Sequence, residues 1–150
     1  MKPKTLQPAD DQFEQRVRDS FHKQYALRTI GAVIHHVEPG SVDIGFDYDQ
    51  RLTQQHGFIH AGILSTVLDS ACGYAAYSLM PPDAGVLTIE FKINLLSPAK
   101  GERFIARGEV KKPGRTITVA EGHLTAWDGE REKLVATMTG TLMTISGRKE

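Results

Sequence analysis

Residues 60–79, HAGILSTVLDSACGYAAYSL, form the stretch that decides the fold. Apolar and small side chains recur through it at helical spacing, and Asp69 is its only formally charged residue at neutral pH. A helix that faces water normally carries several charged side chains, so this segment is predicted to be a helix buried nearly all round. A carboxylate inside such a helix costs free energy unless it is paired or takes part in chemistry. Asp69 is therefore the first candidate for a functional residue.

The same helix is rich in small side chains, which allow a sheet to approach its axis closely. These residues are Gly62, Ser65, Ser70, Ala71, Cys72, Gly73, Ala75 and Ala76. A long antiparallel sheet of six strands curled around one buried helix is the hotdog fold, so we predict an α+β protein of this architecture with an additional N-terminal helix. The alternative is a flat α+β sheet with two helices on one face.

Hydrophobic periodicity predicts the order α-β-β-α-β-β-β-β along the chain. A first helix is predicted to follow Asp10 or Asp11, either of which could cap it, and to run to about Ala26. Strands are predicted over residues 29–37, 42–47, 87–95, 103–111, 116–127 and 133–145. Apolar and polar side chains alternate over residues 87–95 with a clear period of two. The last three strands are joined by short turns, which indicates antiparallel pairing.

The composition favours a soluble cytoplasmic protein. Its 150 residues suit a single hotdog domain over 1–150, with flexible ends at 1–9 and 146–150. Lys plus Arg equals Asp plus Glu at 18 each, which gives no support to a nucleic-acid partner. The polar amino end has no signal-peptide core, and no apolar run approaches the roughly 20 residues of a membrane helix. No Cys/His cluster has metal-ligand spacing, so no metal and no cofactor are expected.

Three blocks of the chain resemble the PaaI-type hotdog thioesterases, a family that hydrolyses acyl-coenzyme A thioesters. The first is His-Ala-Gly at residues 60–62 with Asp69 nine residues after the histidine, where the family usually has His-Gly-Gly followed by Asp, Glu or Asn. The second is residues 88–99, ending in Leu-Leu-Ser-Pro-Ala, and the third is the hairpin turn at residues 110–116. The resemblance covers about residues 30–145. It implies thioesterase activity and an acyl-CoA substrate.

Asp69 and the start of the central helix together could hydrolyse a thioester. The helix start offers free N–H groups and the positive end of the helix dipole, so the Ala61 N–H, helped by Gly62, is predicted to stabilise the oxyanion. Asp69 would act as a general base or as a nucleophile. The alternative for Asp69 is a place on a solvated stripe of the helix.

Geometry predicts that this site is shared between subunits. Eight helical residues separate Ala61 from Asp69, about 12 Å along the axis, so one chain cannot easily bring both to one carbonyl. Two antiparallel helices in a two-fold dimer can do so. We therefore predict a homodimer, with a dimer of dimers as its larger assembly, and an active site at the subunit interface.

The remaining candidates near the site each have a structural alternative. Gln54 is predicted to orient the lytic water, and Thr88 matches a position that lies near the base in the resembled family; both could be ordinary surface residues. His60 is interpreted as a helix-start residue whose ring bonds a nearby carbonyl, and general base is the alternative. His56 and Gly57 are predicted to shape the acyl entrance, although His56 could be a plain surface histidine.

A basic hairpin tip is the candidate for binding coenzyme A. Lys111, Lys112 and Arg115 cluster there around Gly114, and basic side chains at a pocket rim would hold phosphates by charge-assisted contacts. The alternative is a solvated basic turn.

Two other functions remain open from the sequence. One is a hotdog hydratase or dehydratase acting on enoyl or hydroxyacyl thioesters, although the nearest histidine lies a helix length from Asp69. The other is a non-catalytic acyl-CoA-binding module, which has no need of Asp69.

Overall fold

The computed structural model describes residues 5–150, and part of the predicted flexible amino end, residues 1–4, lies outside that range. Helices α1 (Phe13–Lys23) and α2 (Tyr25–Ile30) precede strands β1 (Val33–Glu38) and β2 (Ser41–Asp47). A 3-10 turn at Gln50–Leu52 leads to α3 (Ala61–Tyr77), which is followed by β3 (Gly85–Leu95), β4 (Arg103–Lys112), β5 (Ile117–Asp128) and β6 (Arg131–Ile145). No helix within residues 5–150 has the length and apolar character needed to span a membrane.

The six strands form one antiparallel sheet in the order β1-β2-β4-β5-β6-β3. Five of them, β2 to β6, contact α3. Five strands extend about 19 Å across the sheet, whereas a helix is about 10 Å wide, so the sheet must curl around α3 to touch it with all five. The hotdog fold is therefore confirmed, and the flat-sheet alternative is wrong.

Glycines in the sheet allow this close wrapping. A Cβ atom on Gly108 of β4 would lie 2.5 Å from the backbone nitrogen of Cys72 in α3. A Cβ atom on Gly122 of β5 would lie 2.9 Å from the Cys72 sulfur. At Gly108 the sheet thus lies closer to the helix backbone than a residue with a Cβ atom would allow. The small residues of α3 keep the helix surface low where the sheet packs on it.

We expect Gly108→Ala to lower the free energy of unfolding by about 3 kcal/mol, because the new methyl group meets backbone atoms of α3 that cannot rotate away. Gly140→Ala on β6 is the matched control, since its Cβ would find no atom closer than 3.9 Å. Urea denaturation of the two variants measures the difference. Equal stability of Gly108→Ala and the wild type would contradict this account of the packing.

The amino-terminal part of the chain differs from the prediction. The predicted single helix is broken at Gln24, which is extended with φ −82° and ψ 107°, so the chain turns into α2. The predicted strand over 29–37 starts only at Val33, because residues 29 and 30 belong to α2 and the C-cap residue Gly31 turns the chain in the left-handed conformation with φ 76°.

The predicted aspartate cap of the first helix is also wrong. Gln12 is the N-cap residue of α1 and makes no side-chain cap. Asp10 instead accepts a hydrogen bond from the Gln12 N–H at 3.0 Å, within the turn before the helix. Asp10 therefore stabilises the turn that precedes α1 and does not cap the helix itself.

Helix α3 is buried along its second half and open along one face of its first half. Every residue from Ala71 to Tyr77 is buried, whereas Gly62 is exposed and Thr66 and Asp69 are half-buried. The prediction of burial all round is therefore wrong for the first half, because no element within residues 5–150 covers this face in a single chain.

Strand β3 forms one edge of the sheet and carries a bulge at Ile89. Its ladder with β6 pairs Thr88 with Leu142 and then Glu90 with Thr141, so Ile89 is the extra residue. Paired residues share a face, so Thr88 lies on the same face as the buried Leu142, towards α3. Unbroken alternation would have placed Thr88 on the same face as Glu90. The bulge therefore turns Thr88 towards the helix.

Candidate active site

Asp69 lies midway along α3, on the open face of the helix. Its Oδ1 accepts a hydrogen bond of 2.8 Å from the Thr88 hydroxyl on β3, and both residues line a pocket of about 230 Å³. Burial raises the pKa of the Asp69 carboxyl above its usual value, and the Thr88 hydrogen bond opposes part of that rise. Asp69 is therefore a stronger base than a fully solvated aspartate. We call Asp69 and Thr88 the carboxylate half-site.

The N-terminus of α3 leaves one backbone donor free. A helix start has four N–H groups without a partner inside the helix. Here the His60 N–H donates to the Leu52 carbonyl at 2.9 Å and the Ile63 N–H donates to the His60 carbonyl at 2.9 Å. The Gly62 N–H donates to His60 Nδ1 at 2.8 Å. Within residues 5–150 the Ala61 N–H has no partner. Of the two predicted oxyanion donors, Ala61 and Gly62, only the Ala61 N–H is therefore available, because the Gly62 N–H already donates to His60 Nδ1.

His60 caps the helix. Its Nδ1 accepts the hydrogen bond from the Gly62 N–H, and this bond places the imidazole ring across the first turn of α3. This is the predicted role at the helix start, but the ring accepts from a backbone N–H and does not bond a carbonyl. The capped geometry favours a positioning role for His60 over general base.

Ala61 lines a second pocket, of about 390 Å³, together with Gln54, Phe58 and Pro98. The Gln54 Oε1 accepts a hydrogen bond from the His56 N–H, so the amide oxygen is held within its own loop. The Gln54 –NH₂ is then the group of this side chain that can donate into the pocket. We call Ala61 and Gln54 the oxyanion half-site.

The two half-sites are separate in one chain. The pockets that contain Asp69 and Ala61 share no lining residue. Eight helical residues correspond to about 12 Å along α3, several times the roughly 3 Å at which a base serves the reacting group. One chain therefore presents a base and an oxyanion donor that cannot act on the same carbonyl.

His56 and Gly57 lie in an exposed loop before α3. Gly57 has a left-handed φ of 82°, and its carbonyl accepts a hydrogen bond from the Tyr48 hydroxyl at 3.4 Å. Neither residue lines the pocket of Asp69 or that of Ala61, so their role at the acyl entrance stays a prediction. Within the described chain, no group of three His, Cys, Asp or Glu side chains is placed to hold a metal ion.

The predicted basic tip lies at the other end of α3 from Ala61. Lys111 Nζ lies 3.2 Å from Glu109 and 3.7 Å from Glu121, so carboxylates already neutralise this lysine. Gly114 and Arg115 line a pocket beside the residues that follow the helix. Phosphate binding by the tip therefore stays a prediction, without a connection to Ala61 in the same chain.

The carboxylate pocket has a polar wall that was not predicted from the sequence. The buried Tyr74 hydroxyl lies 3.0 Å from Ser20 Oγ and accepts a hydrogen bond of 2.6 Å from the Gln24 amide. Burial also raises the pKa of Tyr74. In the predicted single helix that runs to about Ala26, the spacing of four residues between Ser20 and Gln24 would put both on one side, and this was the available signal.

Comparison with known proteins gives a consistent result. Residues 56–133 match the model of the thioesterase superfamily. A thioesterase family protein from Silicibacter pomeroyi, known from its crystal structure, is 58% identical, covers 90% of this chain and 99% of its own, and has a TM-score of 0.89. The 1,4-dihydroxy-2-naphthoyl-CoA hydrolase of Listeria monocytogenes is 26% identical, over 81% of this chain and 96% of that protein. The E. coli PaaI protein from the phenylacetic acid degradation operon shares the fold, with a TM-score of 0.83 at 18% identity over 93% of this chain and 98% of its own.

Proposed function

Because the chain belongs to the thioesterase superfamily and is therefore a thioester hydrolase, we propose that it hydrolyses acyl-coenzyme A thioesters at a site shared between two subunits. The observation that carries this proposal is the separation of Asp69 from the free Ala61 N–H along one helix. A two-fold partner with an antiparallel α3 would bring its Asp69 to the Ala61 end of the first subunit. The coenzyme A thioester named for the Listeria relative supports the substrate class.

The edge strand β3 supports the dimer. Five large apolar residues on β3 and just after it are each 42% to 53% exposed in a single chain, namely Leu87, Ile89, Phe91, Leu95 and Leu96. An exposed apolar edge strand is a template for pairing with another chain. A second copy paired along β3 would cover these side chains and would approach the open face of α3, where Asp69 lies. The further assembly into a dimer of dimers stays a prediction.

The proposed reaction uses both half-sites on one thioester. The carbonyl oxygen accepts the Ala61 N–H, which stabilises the negative charge that develops on it. The partner's Asp69 removes a proton from a water molecule as that water attacks the carbonyl carbon. Collapse of the intermediate breaks the C–S bond, and the proton passes to the departing thiolate. In the nucleophilic alternative, an Asp69 oxygen attacks first and water then hydrolyses the resulting anhydride.

Thiol release from a panel of acyl-CoA thioesters is the direct test of this function. We expect free coenzyme A to appear in step with the free acid. Addition of water to an enoyl-CoA without thiol release would point to a hydratase instead. Tight acyl-CoA binding without turnover would point to a binding module.

The oligomeric state provides an independent test of the shared site. We expect light scattering to give the mass of a dimer, or of a tetramer built from dimers. A monomer that hydrolyses acyl-CoA would rule out the shared site.

Thr88→Val is expected to move the acid limb of the kcat/KM profile to higher pH. The Thr88 hydroxyl stabilises the carboxylate form of Asp69, so its removal lets the pKa rise further. Thr88→Ser keeps the hydroxyl and is the matched control. A profile that shifts to lower pH in Thr88→Val, or shifts equally in both variants, would contradict this role.

A further inference from the structure

A further pocket, of about 260 Å³, adjoins the pocket of Asp69 at Gln24. It is lined by residues of α1, α2 and β1, and Gln24 at the break between the two helices lines both pockets. The Gln24 amide also donates to the Tyr74 hydroxyl at 2.6 Å in the wall of the Asp69 pocket. A ligand in either pocket therefore lies against the same side chain. We call the further pocket the arginine pocket.

Cationic side chains form part of the lining of the arginine pocket. Arg18, His22 and Arg28 line it, and no Asp or Glu among residues 5–150 does so. Arg18 binds Glu14 through Nε and Nη2 at 3.0 and 2.9 Å, which leaves Nη1 outside that pair. Arg28 has no ion-pair partner in the described chain. Its Nη2 donates to the His22 carbonyl at 2.8 Å, which ties the guanidinium to the C-terminal end of α1.

The rest of the lining is mostly apolar. Apart from Gln24, the other lining residues are Phe21, Ala32, Val33 and Ile34. Phe21 belongs to the core, whereas Val33 on the edge strand β1 is 51% exposed. A ligand with a hydrocarbon or aromatic body would remove this exposed apolar surface from water. The arginine pocket therefore combines free guanidinium donors with an apolar wall, which is the requirement for an anion that carries an apolar body.

Thioester hydrolysis produces an anion of this kind. Its acid product is ionised at neutral pH and keeps the carbon skeleton of the acyl group. In the pocket of Asp69 that product faces a second carboxylate, and like charges repel. Guanidinium groups instead bind carboxylates by charge-assisted hydrogen bonds. The arginine pocket, which begins at the shared Gln24, is therefore a favourable place for the acid after the C–S bond has broken.

We propose that the arginine pocket is a binding site for the free carboxylate released by thioester hydrolysis. Arg18 and Arg28 hold the head group, and Phe21 and Val33 contact the apolar body. The site belongs to the subunit that supplies Asp69, because both pockets are formed by one chain. The identity of the ligand rests on the proposed function, and the site itself lies outside the groups that carry out the reaction.

Calorimetric titration with octanoate tests this site. We expect the wild type to bind octanoate, and the double variant Arg18→Gln with Arg28→Gln to raise its Kd about tenfold, an effect of roughly 1.4 kcal/mol. Arg51→Gln with Lys112→Gln removes two exposed cations that do not line the pocket and is the control for net charge. Acetate, which lacks the apolar body, and 1-octanol, which lacks the charge, should each bind the wild type at least tenfold more weakly than octanoate.

A second variant tests the apolar wall without touching the arginines. Val33→Glu places a negative charge in the pocket at a half-exposed position, so we expect it to abolish octanoate binding while the chain stays folded. Val33→Leu keeps the wall apolar and should bind octanoate as the wild type does. Circular dichroism of each variant verifies that its fold is intact.

The opposite results overturn the inference. No binding of octanoate to the wild type would do so, as would equal binding by the arginine variant or an equal loss in the charge control. Equal affinity for 1-octanol or acetate would show that the pocket does not recognise an amphipathic carboxylate. Failure of the proposed function has a separate signature, because the wild type would then release no thiol from octanoyl-CoA, whereas the titration requires no turnover.

Discussion

Asp69→Asn is expected to lower kcat for acyl-CoA hydrolysis by about a thousandfold, a loss within the range for removal of a general base. The amide keeps the shape of the side chain and a hydrogen bond to Thr88, but it neither accepts a proton from water nor attacks a carbonyl. Thiol release at saturating substrate measures the loss. Asp83→Asn, which removes an exposed carboxylate in the loop before β3, is the matched control.

The pH dependence of kcat/KM is a second measurement, and it would not change if the role of Asp69 were only structural. In the proposed reaction the carboxylate form of Asp69 is the active form. Because burial raises the pKa of Asp69, wild-type kcat/KM should fall as pH is lowered through that raised value. The residual activity of Asp69→Asn should lack this limb. An Asp69→Asn enzyme within a few-fold of the wild type would show that Asp69 is not the base.

The same substitution should not cost stability at neutral pH. The Asp69 pKa is higher in the folded chain than the ordinary 3.8, so the folded state binds the proton more tightly than the unfolded state. The contribution of this group to stability therefore declines as pH rises from about 3.8 through the raised value. Asp69→Asn removes that penalty, so its free energy of unfolding at pH 7 should equal or exceed that of the wild type. Intact folding separates a catalytic loss from a structural one.

Ala61→Pro is expected to lower kcat about a hundredfold, because it deletes the one backbone N–H at the start of α3 that has no partner among residues 5–150. Proline is well suited to this first helical position, where its missing N–H breaks no bond within the helix. His60, the residue before it, has φ −61° and ψ 138°, which is the conformation that a residue before proline prefers. The helix should therefore remain intact. Ala61→Gly, which keeps the N–H, should stay within a few-fold of the wild type.

Mixing the two inactive proteins tests the shared site directly. In a dimer of one Asp69→Asn and one Ala61→Pro subunit, one site carries both defects and the other carries neither. Random exchange of subunits makes half of the dimers mixed, so the mixture should recover about a quarter of wild-type activity. A site contained within one chain would recover nothing. The absence of any recovery after verified subunit exchange would end the shared-site proposal.

The fold could be predicted from the sequence because the strongest pattern, the composition of α3, lies within one continuous segment. Helix α3 carries almost no charge and many small residues, and these two features predicted a helix wrapped by a sheet. The strand order and the contacts of the strands with α3 confirmed this prediction. The bulge at Ile89 could not be predicted, since apolar and polar residues alternate through it without interruption. Its position depends on pairing with Thr141 and Leu142 of β6, which are far from Ile89 in the chain.

The sequence could predict which residues form the candidate site, but it could not predict which of their atoms remain free to bind a substrate. The spacing of Ala61 and Asp69 predicted a site shared by two chains, and this prediction followed from helix geometry alone. Which N–H remained free did not follow, because it depends on the ring of His60 turning back onto Gly62.

The polar wall of the carboxylate pocket combines residues from inside and outside the segment that matches the superfamily. Tyr74 lies inside that segment, and Ser20 and Gln24 lie before it. The match to the superfamily spans residues 56–133, which include Ala61, Asp69 and Thr88, whereas Ser20 and Gln24 lie in the preceding segment. Mutations in that leading segment alter the lining of the carboxylate pocket while the hydrolytic groups stay in place. Under the proposed function, we therefore expect selectivity for the acyl group to change with Ser20 and Gln24 at little cost to turnover.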